Sequence, residues 1–263
     1  MWTLEADEAL PAWRLREAGP RAVLAFSTRL GGVSRPPFDT LNLGRSTDDD
    51  PDAVAENRRR FLTTLGLDPR ALATAGQVHG AAVARVTAPG LYADCDVLVT
   101  TVPGIVLAVT AADCLPLLLA APQAVAAAHS GWRGTASLAP AAALGAVCRA
   151  SPVPPQEVTI HLGPCIRACC YEVGSDVARR FPSDAVSRAN GAWRLDLVTA
   201  ARLQLAAAGA APHRIHEVAA CTACDPSRYF SHRRDGPRTG RHWAVAALVS
   251  SDGGLAPKRG PGV

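Results

Sequence analysis

The sequence predicts a mixed α/β (α+β) fold in one domain, with a central mixed sheet flanked by helices. Three observations predict it. Strand-like and helix-like segments are interspersed along the chain. Several short apolar runs follow one another directly between residues 97 and 128, which favours a mixed sheet over a purely doubly wound one. The chain is 263 residues long and 48% hydrophobic, enough to bury a large core. There is no internal repeat. The Pro-rich segment SPVPPQ at 151–156 is the best candidate boundary, and it is too short to divide the chain.

The elements follow in order. Residues 22–27 form an apolar run bounded by STRLGG, a strand ending in a turn. Residues 51–65 read as a helix: Asp50 or Asp52 caps it, Pro51 suits its first turn, Val54, Phe61, Leu62 and Leu65 share a face, and Gly66 stops it. Residues 82–87 alternate like a strand. The apolar runs 97–101, 105–110, 115–120 and 124–128 read as consecutive buried strands. The Ala-rich stretch 136–150 is helical, with its start near Pro140. A strand at 158–162, helices at 175–181 and 195–209, and strands at 215–218 and 243–249 complete the chain. The ordered core is expected over about residues 20–250, with a Pro/Gly-rich tail at 251–263.

Composition excludes several functions. The formal charge is +4, and the 27 basic residues include a single lysine, Lys258, in the tail. A P-loop needs Lys after its glycines and a Schiff-base enzyme needs a buried Lys amine, so neither fits. Nucleic-acid binders concentrate positive charge, whereas here the densest runs are Arg58-Arg59-Arg60, expected on a solvated helix face, and Arg233-Arg234. MWTLEADEAL is not an export signal, and the apolar stretch 104–128 is broken by Asp113, Pro116, Pro122 and Gln123. A cytoplasmic protein without membrane or nucleic-acid partners is expected, with its eight cysteines reduced.

Three apolar runs end in reactive side chains: GQVHG with His79, AVTAADCLP with Asp113 and Cys114, and AAAHSGWRGT with His129 and then Arg133. Two His and one Cys make a three-ligand zinc site with an open fourth position, the catalytic kind. Their spacings match no local zinc motif, and each residue also reads as ordinary core or a cap. Cys114 with His79 or His129 as base is an alternative nucleophilic pair. Cys221-Thr-Ala-Cys224, combined with Cys165, Cys169 or Cys170, is a rival metal set. A single CxxC is a weak signal, so these are expected to be thiols outside any metal site. Arg133 beside its glycines can present a planar fork to phosphate or carboxylate. Arg233 and Arg234 read either that way or as surface ion pairs.

STRLGGVS, NLG, QVHG, ADCDVLVT, TAADCLP, AAAHSGWRGT, LGPCIRACCYEVG and YFSHRRDGPRTGR occur in this order. With them the sequence resembles the YfiH-type laccase-domain family over about residues 20–250. That family was labelled multicopper polyphenol oxidase and is now regarded as purine nucleoside phosphorylase with broader nucleoside activity. The resemblance implies an α/β fold similar to a bacterial cysteine-hydrolase toxin domain, and zinc ligands at His79, Cys114 and His129. It also implies phosphorolysis of adenosine, inosine, guanosine or methylthioadenosine, with adenosine deaminase activity beside it. In that reaction Arg133, with Arg29 or Arg233, would clamp phosphate, Asp113 would carry a proton, and Asn42 and Tyr171 would hold the ribose or base. Copper is an alternative occupant, since Cu²⁺ outcompetes Zn²⁺ for most N/S ligands, but a multicopper oxidase needs more His than the seven here. Amide hydrolysis on a peptidoglycan precursor is a further alternative.

Overall fold

The mid-chain strands read as unbroken apolar runs because both of their faces are covered. In the computed structural model, which describes residues 2–5, 10–15 and 22–249, the strands begin with β1 (Trp2–Glu5), β2 (Ala12–Leu15), β3 (Ala22–Ser27) and β4 (Leu72–Ala75). The middle of the chain supplies β5 (Val83–Arg85), β6 (Gly90–Tyr92), β7 (Val97–Thr100), β8 (Val106–Ala111), β9 (Leu115–Ala121) and β10 (Ala124–Ser130). Then come β11 (Thr159–Leu162), β12 (Glu172–Val173), β13 (Val186–Ala189), β14 (Ala192–Leu195), β15 (Ile215–Glu217) and β16 (His242–Leu248). The helices are α1 (Pro51–Thr64), α2 (Trp132–Ala136), α3 (Ala139–Ala150), α4 (Ser175–Ala178), α5 (Leu197–Ala207) and α6 (His232–Asp235).

The expected central sheet is two sheets. One has the order β1-β2-β3-β16-β8-β4-β6 and the other β15-β11-β9-β10-β7-β5, both mixed; β12-β14-β13 form a small third. Between the two large sheets lie Phe26, Leu107, Val109, Leu118, Val125 and Ala246. The opposite face of the second sheet, with Leu117, Leu119, Ala126 and Ala128, packs on α3 and α5 through Leu144, Val147 and Leu205. The opposite face of the first packs Val106, Trp243 and Val245 against Phe61 and Leu62 of α1. The result is four layers, helix–sheet–sheet–helix. Leu117 and Leu118 point to different cores because successive strand residues face opposite ways. Burying both faces removes the polar alternation that would distinguish a half-exposed strand.

Helix α1 begins as its sequence dictates. Asp50 accepts the Asp52 N–H, Pro51 opens the first turn, and Gly66, at φ 74°, follows the last turn. The Ala-rich helix starts near Pro140, as its sequence suggests: Pro140 lies in the first turn of α3, and Leu138, at φ 67°, separates α3 from the short α2. The tail, 251–263, lies outside the described residues. Among the described residues no helix is long and apolar enough to cross a membrane.

Candidate metal and anion site

Asp96 organises the site, and sequence reasoning passed it over. It sits directly before β7 and is fully buried. Its carboxylate accepts backbone N–H bonds from Val78 (3.2 Å), His79 (3.0 Å) and Gly80 (2.7 Å). These fold the GQVHG loop, in which Gln77 and His79 have φ of 59° and 62°. Gln77 pins the other end of the loop by exchanging hydrogen bonds with the Thr110 main chain. A fourth bond to Asp96 comes from His129 Nδ1 at 2.8 Å. Because a carboxylate only accepts, Nδ1 donates this bond and Nε2 is the ring nitrogen left for Cys114 or a metal, the orientation usual for a metal-ligating histidine. Burial alone would raise the Asp96 pKa; the bonds from His129, Gly80 and His79 outweigh it and hold the group below the ordinary carboxylate range.

Cys114 lies in the turn between β8 and β9, while His129, next to last in β10, lies opposite Pro116. The neighbouring strands therefore bring the two side chains together. The ligand atoms of His79, Cys114 and His129 all lie within 4.8 Å of one another. The two imidazoles meet edge to face, with centroids 4.9 Å apart. A tetrahedral ion with bonds of about 2.0–2.3 Å needs donors roughly 3.3–3.8 Å apart, which this set can meet by small rotations. Burial would raise the Cys114 thiol, but the charge of His129 and hydrogen bonds from His129 and His79 bring it down to about 6. His129 moves the other way, to about 9; burial opposes this, and the Cys114 charge and the Asp96 bond prevail. A thiolate is the form that binds metal, and the pair favours it. Gly131 leaves room for the sulfur: a Cβ there would lie 2.8 Å from Cys114 Sγ and 3.3 Å from His79 Cδ2.

These residues open on a cavity of about 860 Å³. Five arginines line it, Arg45, Arg58, Arg133, Arg233 and Arg241, against one carboxylate, Asp113. The imbalance gives the cavity a positively charged wall. Arg59 and Arg60 pair with Glu56 on the solvated face expected of the whole run, but Arg58 turns inward. It bonds Leu43 O and lies 5.0 Å over the Trp243 ring. Burial, and then the charge of Arg45, lower its pKa to about 10; burial likewise lowers that of Arg241. Arg133 lies 4.4 Å over Trp132, and Arg233 5.2 Å over Tyr171. Tyr171 is pushed up to about 12 by burial, with the Cys114 charge next.

The other sequence candidates are distributed differently. Asp113 lines the cavity, but its Oδ1 accepts from Thr222 Oγ1 and its Oδ2 from the Arg233 N–H, both at 2.6 Å. These bonds fix its orientation at the cavity wall and leave each oxygen a further lone pair. Arg233 and Tyr171 line the cavity; Asn42 and Arg29 do not. Asn42 is fully buried and ties Thr47, Asp49, Gly44 and the Arg241 N–H together, so it shapes the loop that carries Arg45. Arg29 is occupied by Asp39, Pro226 O and the face of Phe230. The structure places both away from the cavity lining, in the scaffold beside it. Cys221 and Cys224, expected as thiols outside any metal site, lie with Cys169 and Cys170 in a second donor group, the rival set without Cys165.

A sequence model of the family described as "Multi-copper polyphenol oxidoreductase laccase" matches residues 23–249. The chain belongs to this family. A protein of Deinococcus radiodurans named "Purine nucleoside phosphorylase" is 39% identical over 87% of this chain and 90% of its own length. One of Pseudomonas aeruginosa with the same activity in its name is 39% identical over 91% of this chain and 96% of its own length. The crystal structure of YlmD from Geobacillus stearothermophilus superposes with a TM-score of 0.88 at 33% identity, covering 95% of this chain and 99% of that one. Bacillus licheniformis YfiH superposes at 0.87 with 30% identity, covering 94% and 98%.

Proposed function

We propose that the chain is a zinc-dependent purine nucleoside phosphorylase. It converts adenosine, inosine, guanosine and methylthioadenosine to free base and pentose 1-phosphate, and deaminates adenosine at the same site. The observation that carries this reading is one cavity that joins a His₂Cys donor set to five arginines. The names of the relatives support its phosphorylase part.

Phosphorolysis forms a bond from a phosphate oxygen to the anomeric carbon and breaks the bond to the base. The chain must bind an anion, hold the sugar as it gains oxocarbenium character, and assist the departing base. Arg133 and Arg233 would grip phosphate through charge-assisted bonds. Tyr171, whose ring lies under Arg233 in the cavity lining, would stack the base or meet a ribose hydroxyl. His79, Cys114 and His129 would hold zinc with one position open and a net single positive charge; when bound, the ion would supply Lewis acidity there. For deamination, Asp113 would carry the proton between water and the base. The partners are then a nucleoside and phosphate, in the cytoplasm, with no role for nucleic acid or membrane.

Copper would fit the same three atoms, but a multicopper oxidase needs further histidines close together. All seven histidines are among the described residues; His161 stacks on His216, and His242 accepts from the Phe230 N–H. The second donor group contains only cysteine. The Cys114–His129 pair favours one other reading, amide hydrolysis. Incubation with adenosine, with and without phosphate, followed by mass analysis, tests the proposal. Phosphate-dependent adenine and ribose 1-phosphate are expected, with some inosine in either case. Absence of all three products would overturn it and leave the amidase or a pure binding protein.

A further inference from the structure

Cys169, Cys170, Cys221 and Cys224 are used by nothing above. They come from two separate stretches of chain. Residues 165–171 follow β11, and residues 221–225 follow β15, its parallel neighbour. A bridge between Cys165 and Cys221, with the Thr222 N–H donating to Cys165 O at 3.1 Å, sets the two stretches side by side. Each then turns tightly and supplies two sulfurs. All four sulfurs lie within 4.8 Å of one another, with Cys224 3.3 Å from Cys170 and 3.5 Å from Cys169.

We propose that these four cysteines form a second metal site, a closed tetrathiolate zinc centre of structural type. With Zn–S bonds of about 2.3 Å, a regular tetrahedron places its sulfurs about 3.8 Å apart, within the range spanned here. Four protein ligands leave no open position, unlike the His₂Cys set. Two thiolates more than the ion's charge remain to be compensated, and the Arg167 backbone N–H already points at Cys221 Sγ, 3.4 Å away. Such N–H···S bonds are the outer support a tetrathiolate requires. Four reduced thiols gathered for packing alone would not need to converge from two stretches of chain, two of them exposed.

The centre would also brace the cavity wall. The first stretch carries Ile166, whose N–H donates to Asp113 O, and ends at Tyr171. The second carries Thr222, which holds Asp113 Oδ1, and its Thr222 and Ala223 carbonyls accept from Arg234, the neighbour of Arg233. Joining the two stretches through one ion would fix Asp113, Tyr171 and Arg233 together. This inference does not depend on the reaction proposed above, since its readout is metal.

The test is zinc content by elemental analysis and native mass spectrometry on the full chain, purified under reducing conditions without added copper. Two equivalents are expected in the wild type and one in Cys224→Ser, whose remaining ion stays sensitive to His79→Ala. If Cys224→Ser fails to fold, cobalt(II) substitution of the wild type decides. A tetrathiolate adds intense sulfur-to-metal charge-transfer absorption far above that of a one-thiolate site. One equivalent of zinc in the wild type, a disulfide among the four cysteines, or a second equivalent retained by Cys224→Ser would each overturn the proposal.

Discussion

Four of the five cavity arginines are distinguished by what already holds their guanidinium, while the fifth, Arg45, lies in the exposed loop after Gly44. Arg58 bonds Leu43 O, Arg241 bonds the Thr239 and Gly240 carbonyls, and Arg233 gives one Nη1 bond to Glu172 O. Arg133 instead has its guanidinium carbon 4.4 Å over the Trp132 ring and lines the cavity. It is therefore the side chain we assign to phosphate. Arg133→Ala should lower phosphorolysis by about 10²–10³, the usual loss for one preorganised donor set. Arg133→Lys should also be impaired, since it keeps the charge and loses the fork. Deamination needs no phosphate and should fall much less in both. Equal losses in the two reactions, with an unchanged phosphate KM, would make Arg133 a scaffold residue. At this scale the sequence was only partly legible. His79, Cys114 and His129 could be named from their motifs, but Asp96 reads as an ordinary loop acid until four donors are seen around it. Arg58 had a usable signal: it occupies the i+4 position after Val54, in the same stripe as Phe61 and Leu65.

The elements that carry the site are short and meet at their ends. Strand β10 delivers His129, and Gly131 opens α2 where Cys114 comes closest. A methyl group at this junction would collide with the sulfur, while the Gly131 φ of −71° suits any residue. Gly131→Ala should therefore weaken zinc binding at the His₂Cys site by about 10–100-fold, the range seen when the surroundings of a metal ligand are disturbed. Competition with a chromogenic chelator measures it. Wild-type zinc retention would show that the site relaxes around the methyl group. Elements with long apolar runs, β8 to β10 and β16, were legible because burial on both faces leaves a continuous signal. By contrast β1, β2, β4, β6 and β12–β14 are two to four residues each. Their pairing is made by backbone groups that any sequence supplies, so no side-chain pattern announces them.

The whole fold carries a pH dependence of its own. His242 is buried in β16, and its Nε2 accepts the Phe230 N–H at 3.0 Å, so it must remain neutral. Burial, with the charges of Arg29, Arg241 and Arg234, lowers its pKa to about 3. The unfolded chain takes up this proton near pH 6.5, so the unfolded state binds more protons below that value. Stability should fall as pH drops from about 6.5 toward 3, by up to ~1.4 kcal/mol per pH unit for this group. Urea midpoints across that window should change less steeply in His242→Gln, which retains an acceptor; an unchanged slope would exclude His242 as the source. The layered sheets were not legible as two, because an apolar run does not reveal which sheet its strand joins. The central claim is that the His₂Cys set and the arginine cavity form one phosphorolytic centre. Its most direct test is ribose 1-phosphate release from adenosine by zinc-loaded wild type and Cys114→Ala. The account predicts one equivalent less zinc in the variant and a loss of product formation of at least about 10²-fold. A variant that lacks that zinc and still forms ribose 1-phosphate at the wild-type rate would contradict it.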